Sequence, residues 1–475
     1  MTTPSSDSAK PRRRKDLPGP TGLPLLGNAL QFKAGKEHQV LEAWASRYGS
    51  VFKLGFGPLK IVGTTDPSII NTVLRERPHG FRRMRSIERV TSELGVRGVF
   101  SVEGAEWKRQ RKLATGALNP RHLRSYFPTL RRITDNLLRR WERAADEGAV
   151  VDLQLDLMRY TTDVVTSLVF STQANTLAGE ESELIESINA IFPVLSRRVD
   201  AAVPYWRYVK LPVDRRVDRC VAYVRRWLSV VIEEARERIA RDPERVDNPA
   251  DMLEAMLVER DENGNPFSEE VIFGNAFTML LAGEDTTANT LAWAVHLLLD
   301  APAASQALRN EADEALGDKR TADTFGLTEG LRYATNVAHE TLRIKPVAPL
   351  LFMEALQPIT IGDLAIEPGT IVGMIRRPPA LDPDVVDNPG PFQPERWAKG
   401  MDREMHRRGE YTPFGGGPRL CPGRSLALLE VRMVLAMLYK NFDVERVGEP
   451  SDVTEVFGFT MAPQGLRVRF RRRNA

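Results

Sequence analysis

The chain has 475 residues, 42% of them hydrophobic, and its 66 basic and 63 acidic side chains leave a formal net charge of +3. That balance excludes a general nucleic-acid binder. Two cysteines, Cys220 and Cys421, exclude a disulfide framework, a four-cysteine zinc site and a four-cysteine iron–sulfur cluster, and they point to a reducing compartment. A single cysteine can still act as a lone axial ligand or a nucleophile.

Residues 1–16 carry the basic run KPRRRK and lack the apolar core of a signal peptide, so they read as a disordered basic tail, followed by one domain from 17 to 475. The next stretch, LPGPTGLPLLGN, is too short to cross a bilayer. No transmembrane anchor is expected, and the location reads as cytoplasmic, with the basic ends offering a weak attraction to an anionic membrane. The arginines of 467–473 read as a second solvated basic end.

Strand-like runs fall at 50–54 and 60–63. From about 105 to 345 the pattern is mostly helical, as at 123–141, 217–241 and 268–299. Cys220 lies in DRCVAYVRRW on one of these helices and reads as structural. The helix from 268 is the most informative. Ser268 suits its N-cap and Glu269 and Glu270 its first turn; beyond them only Glu284 and Asp285 are charged. It reads as a fully buried central helix. Adjacent acids inside such a helix are costly unless they have partners or a task. Strands return at 359–375, with turns at Gly362–Asp363 and Pro368–Gly369, and again at 466–470. The layout is α+β, mainly α: a large helical body with a small β portion drawn from both ends of the chain.

Near the C-terminus the sequence reads TPFGGGPRLCPGRSLALLEVRMVLAMLYKNF. Gly415, Gly416 and Gly417 strip side chains from the loop before Cys421, which lets backbone lie against something flat and bulky. From 422 to 440 a helix is expected, with Leu426, Leu429, Met433 and Leu438 buried. A thiolate at a helix start is favoured by the dipole and by free N–H groups, donors that also tune an iron–sulfur bond.

FGGGPRLCPG resembles the haem-ligand motif F-x-x-G-x-R-x-C-x-G of the cytochrome P-450 family at every defined position: Phe414, Gly417, Arg419, Cys421 and Gly423. Three other segments resemble the family's in order and spacing. HETLR supplies Glu340 and Arg343, FQPERW supplies Arg396, and WKRQR supplies Trp107 and Arg111. The resemblance implies the P-450 fold with its long central helix, and haem b held through its iron by Cys421. It also implies Phe414 beside the sulfur, Trp107, Arg111 and Arg419 on the haem propionates, and a buried structural network of Glu340, Arg343 and Arg396.

AGEDTT (282–287) is similar to the family's A-G-x-[D/E]-T-T on the distal side of the haem. The resemblance makes Asp285 and Thr286 the acid–alcohol pair that delivers protons to bound O2, with Gly283 leaving space where the helix would be distorted around the oxygen and Ala282 beside the haem. Glu284, at the variable position, reads as a solvent-channel or salt-bridge residue. One departure stands out. Where the family often carries another propionate-binding arginine, this chain has Phe352 and Met353, so the haem's anchoring is expected to rest on Trp107, Arg111 and Arg419.

The resemblance further implies a substrate pocket drawing on Phe100, Phe192, Phe277, Ala282, Val347, Leu350, Leu351 and Phe457. Its apolar character points to a lipophilic substrate, a terpenoid, steroid or fatty acid, hydroxylated or epoxidised with one atom of O2. Electrons are expected from a separate ferredoxin or flavodoxin, with Lys108, Arg109 and Lys112 as a basic docking patch. Two other readings remain open here. One is a peroxide-using or isomerising haem-thiolate enzyme, against which Asp285 and Thr286 argue; the other is a non-catalytic haem-binding sensor.

Overall fold

Glu269–Leu299 runs through the molecule and packs most extensively on the helix Leu153–Phe170. The computed structural model describes residues 10–179, 183–201 and 203–473. Helices Arg332–Ile344 and Arg424–Asn441 also pack on the long helix. Its apolar residues go all round rather than down one stripe, so it is enclosed on most sides. It is not buried throughout, however: Ala282 is exposed, and Asp285 and Thr286 are only partly buried. The contact with Leu153–Phe170 is close because residue 283 has no side chain. A Cβ there would lie 2.5 Å from Cγ2 of Val165. Gly283 therefore serves helix–helix packing, and the helix continues through it unbroken, which corrects the expectation that it makes room for a ligand.

The helices flanking this core extend the expected ones by a few residues, as Pro120–Asp146 and Pro212–Arg241. Cys220 is partly buried against their packed apolar side chains.

The main sheet has five strands in the order Val51–Phe56, Leu59–Thr64, Ile371–Ile375, Leu350–Ala355 and Phe81–Arg83. Only the pairing of Leu59–Thr64 with Ile371–Ile375 is parallel. Register places Arg83 directly opposite Met353. A hairpin of Thr454–Phe457 and Met461–Gln464 lies against the central helix.

Both chain ends correct the sequence reading. Residues 1–9 lie outside the described residues, but Arg12–Arg13 pairs in parallel with Leu364 and Ala365. Arg12 bonds Asp363 at 2.6 Å, and Arg14 donates to the carbonyls of Ile61 and Leu54. A sheet edge offers unpaired backbone groups, and a guanidinium carries donors enough to meet them. The C-terminal arginines form the strand Arg467–Arg472, which buries Val468 and Phe470 and turns alternate arginines outward. Arg472 pairs with Asp146 and Glu142, and Arg473 with Asp313. Neither described end is a free solvated tail.

Candidate active site

Cys421 sits between a 3-10 turn, Gly417–Arg419, and the helix Arg424–Asn441. Its N–H donates to the Phe414 carbonyl at 2.9 Å and closes the loop. The thiol has accessible surface, although protein packs densely around it. Burial pushes its pKa up, against the N–H groups of Gly423 and Arg424 and the charge of Arg111, all of which favour the thiolate. The helix start alone therefore does not offset the burial of this sulfur; a cation bound to it would favour the thiolate. The loop glycines have another use than the expected one. Gly417 has φ +61°, and a Cβ there would lie 2.4 Å from the Leu74 carbonyl oxygen, so the loop slips past the helix Pro67–Arg75.

Three arginines, Arg77, Arg83 and Arg419, gather around one acid close by, and a fourth, Arg376, acts electrostatically on Arg83 while bonding the carbonyls of Thr412 and Ala348. Glu103 pairs with Arg77 at 3.1 Å and with Arg419, and accepts the Arg83 backbone N–H at 3.0 Å. Arg419 lies over the Trp107 ring, 4.6 Å from its centroid, and also donates to the Val102 carbonyl. Burial lowers the Arg83 guanidinium well below its usual value, and Arg77, Arg419 and Arg376 lower it further. Arg419 is lowered to about 9 by burial and Arg77, and Arg376 to about 10 by burial. The Nε atoms of all four, with Nη1 of Arg419, are buried and lack a partner among the described residues. Positive charge here exceeds what Glu103 balances, so the cluster suits an anionic group with several oxygens. Arg111 is half-buried and acts electrostatically on Cys421. Sequence reasoning named Arg419, Trp107 and Arg111 but missed Arg83 and Arg376. Arg83 stands across the sheet from Met353, the position where an arginine was expected and absent.

The two acids of the central helix diverge. Glu284 is 3% exposed and accepts a hydrogen bond from the Thr162 hydroxyl at 3.0 Å. Burial and the neighbouring Asp285 push it up to about 7. It forms no ion pair among the described residues, which corrects its reading as a solvent-channel or salt-bridge residue. Asp285 turns instead to the hairpin, accepting from Thr460 at 3.3 Å; burial raises its pKa and Thr460 opposes that. The Thr286 hydroxyl donates back to the Ala282 carbonyl at 2.9 Å. Ala282 and Thr286, one turn apart, thus lie on the same side of the helix.

Comparison with known proteins agrees with this arrangement. The cytochrome P450 family model matches residues 17–470. The chain belongs to the cytochrome P450 family. Cytochrome P450 3A13 of Mus musculus is 28% identical, covering 96% of this chain and 89% of its own length. Protein LUTEIN DEFICIENT 5, chloroplastic, of Arabidopsis thaliana is 26% identical, covering 90% and 72%. The crystal structure of the cytochrome P450DA heme domain superposes with a TM-score of 0.86 at 23% identity, covering 98% of this chain and 99% of that one. As a cytochrome P450 the chain is a monooxygenase, an oxidoreductase that carries haem iron and uses O2, a redox partner and a small-molecule substrate. The residues present fit that group: one reachable cysteine sulfur for the iron, and a surplus of buried guanidinium donors for its carboxylates.

The P450's charge network is complete in itself. Glu340 and Arg343 are both 0% exposed and paired through two bonds of 2.8 and 2.9 Å. Glu340 also accepts from Arg396 at 3.1 Å, Trp397 Nε1 at 2.8 Å and the Gln393 N–H. Arg343 spends its remaining donors on the carbonyls of Ala380, Pro389 and Pro391.

The expected pocket residues fall in several packing clusters. Phe277 is 1% exposed and stacks on Phe273 within the helical core. Leu350 and Leu351 pack against different apolar clusters of the sheet, while Val347 and Phe457 share a third. The side chain of Phe192 lies outside the described residues. Phe100 is placed differently again: its ring carries Arg83 at 3.7 Å and meets Phe459 at 5.8 Å. Phe459 was missed; nothing in its GFTM context distinguishes it.

Proposed function

We propose that this cytochrome P450 holds haem b through the Cys421 thiolate and inserts one atom of O2 into a lipophilic molecule by hydroxylation or epoxidation. The observation that carries the reading is the Cys421 loop beside a cluster of under-partnered guanidinium groups. Arg419, Arg111 and Arg83 are the groups we assign to the propionates, with Arg376 behind them; Trp107 braces Arg419. Gly423 and Phe414 hold the thiolate from their backbones: Gly423 N–H supports its charge, and the Phe414 carbonyl fixes the Cys421 N–H.

When bound, the haem supplies the redox chemistry that splits O2, with two electrons and two protons, into one atom for the substrate and one for water. The chain's own residues govern the protons. Thr286, one turn from the exposed Ala282, offers a hydroxyl, and Asp285 next to it exchanges protons with solvent. Burial biases Asp285 toward its protonated form, which suits a donor. Phe100, Phe459 and the exposed Ala282 support an apolar substrate, of the terpenoid, steroid or fatty acid class.

Electrons come from a separate ferredoxin or flavodoxin. Lys108 and Arg109 are exposed on the helix Gly104–Ala117, and Lys112 leans on Glu259 at 3.0 Å. The free thiols of Cys220 and Cys421 fit a reducing, cytoplasmic setting. The test is to reconstitute haem-loaded protein with a ferredoxin and its reductase. Dodecanoic acid, testosterone and limonene are screened for a spin-state shift, and the best is turned over under isotope-labelled O2. One labelled oxygen per product supports the reading; label-free product, or turnover needing no electron donor, overturns it.

A further inference from the structure

The central helix meets the C-terminal hairpin along one stripe. Asp285, Asn289 and Trp293 are four residues apart in turn and so share a face. Each bonds the strand-joining turn or the strand after it. Thr460 Oγ1 lies 3.3 Å from Asp285 Oδ2, Asn289 Nδ2 donates to Thr460 Oγ1 at 3.0 Å, and Trp293 Nε1 donates to the Met461 carbonyl at 3.0 Å. A fourth residue extends the line, since Gln154 Nε2 donates to Asn289 Oδ1 at 2.9 Å. Asn289 is 1% and Thr460 6% exposed, so water competes little for these bonds.

The direction of donation is uniform. Gln154 donates to Asn289, Asn289 to Thr460, and the Thr460 hydroxyl, its oxygen occupied by Asn289, is left to donate to Asp285. Such a chain polarises toward its end and favours negative charge there. Glu284, one residue away, has no such chain and takes its single bond from the other side.

We propose that Thr460 is the positioning residue of Asp285: the hairpin tip holds that carboxylate at the end of a donor chain and thereby sets the pH range over which it passes protons. The proposal rests on the reading of Asp285 as the proton-handling acid given above. The same turn carries Phe459 against Phe100, so the element that holds the acid also borders the apolar residues named for the substrate.

Charged or titratable groups on the elements around this stretch have partners or tasks elsewhere: Asp156 pairs with Arg140 and Arg159, and Glu340 with Arg343 and Arg396. Glu284 adjoins Asp285, Asp163 is tied to Thr176 and Leu177, and burial pushes Glu430 towards its protonated form. Lys345 and Glu455 are paired with each other at 2.6 Å. None of these is bonded to Asp285 among the described residues, which leaves Thr460 as its hydrogen-bond donor there.

The test uses haem-loaded protein reduced with dithionite and mixed with O2, and follows reoxidation in the visible spectrum from mildly acid to mildly alkaline pH. Wild type should show an acid-accelerated limb, which Asp285→Asn flattens. Thr460→Val, which keeps the shape and removes the donor, should move the limb to higher pH by roughly one unit. Asn289→Leu should move it less and in the same direction, and Thr460→Ser should restore the wild-type profile. A Thr460→Val limb at the wild-type position, with Asp285→Asn flat, overturns the proposal and leaves the role of Asp285 standing. Equal shifts in Thr460→Val and Thr460→Ser also overturn it, because packing rather than the hydroxyl would then be responsible. A wild-type limb in Asp285→Asn overturns the role of Asp285 itself, and the proposal with it.

Discussion

Two buried charge clusters in this P450 are built on opposite terms. Around Glu340 every strong donor and acceptor is answered from within the chain, by Arg343, Arg396, Trp397 and a set of backbone carbonyls. Around Glu103 the chain supplies Arg77, Arg83 and Arg419, with Arg376 acting on Arg83, and leaves the Nε atoms of all four without partners among the described residues. The first cluster is complete as protein. The second has guanidinium donors to spare and suits an anion, as the proposed propionate role requires.

The comparison breaks most sharply at Glu340. Replacing Arg343 by leucine leaves a buried carboxylate short of its main partner and should cost about 3–5 kcal/mol. Denaturant unfolding followed by tryptophan fluorescence should register that loss with or without haem. Arg83→Met and Arg419→Gln should behave the other way round. Each relieves crowding among like charges, so stability of the haem-free protein should hold, while haem affinity falls about tenfold to a hundredfold in a titration. A variant of the second group that unfolded like Arg343→Leu would erase the distinction.

Glu284 sharpens it at a single residue, as a buried acid without a cation. Its pKa rises from an ordinary 4.5 to about 7 in the folded state. Below the lower value both states carry the proton, and between the two values only the folded state does. Folding stability therefore falls as pH rises through that window and stays reduced above it. Glu284→Gln should escape the fall and gain about 1–3 kcal/mol over wild type at mildly alkaline pH, with no gain in acid. Denaturant midpoints at the two pH values check it. The smallest effect belongs to the exposed charges. Reversing Lys108 and Lys112 to glutamate should slow association with an acidic ferredoxin about tenfold at low ionic strength and little at high salt, read by stopped flow. No change at low salt would remove these residues from the docking surface.

What the sequence disclosed follows the range of each interaction. Glu340 and Arg343 are one helical turn apart, so their pairing was visible as spacing, and the Cys421 loop is contiguous. Arg83 comes near Arg419 and Arg376 only because sheet and loop are folded together, and no local pattern marks Arg83 or Arg376. The adjacent acids Glu284 and Asp285 were conspicuous, yet their opposite partners, Thr162 and Thr460, come from distant segments. Gly283 and Gly417 were read for a ligand and turned out to serve neighbouring backbone and side chains, since a glycine discloses closeness but not to what. The expected pocket residues show a related limit. An aromatic such as Phe277 looks the same in sequence whether it meets a ligand or the core.

The proposed function requires first a bond between Cys421 and the haem iron. The absorption spectrum of the reduced, carbon monoxide-bound protein reads that bond directly. Wild type should show the red-shifted Soret band of a thiolate-ligated haem, and Cys421→Ser should lose it while Cys220→Ser keeps it. A wild-type spectrum without that band, or its survival in Cys421→Ser, would contradict the assignment.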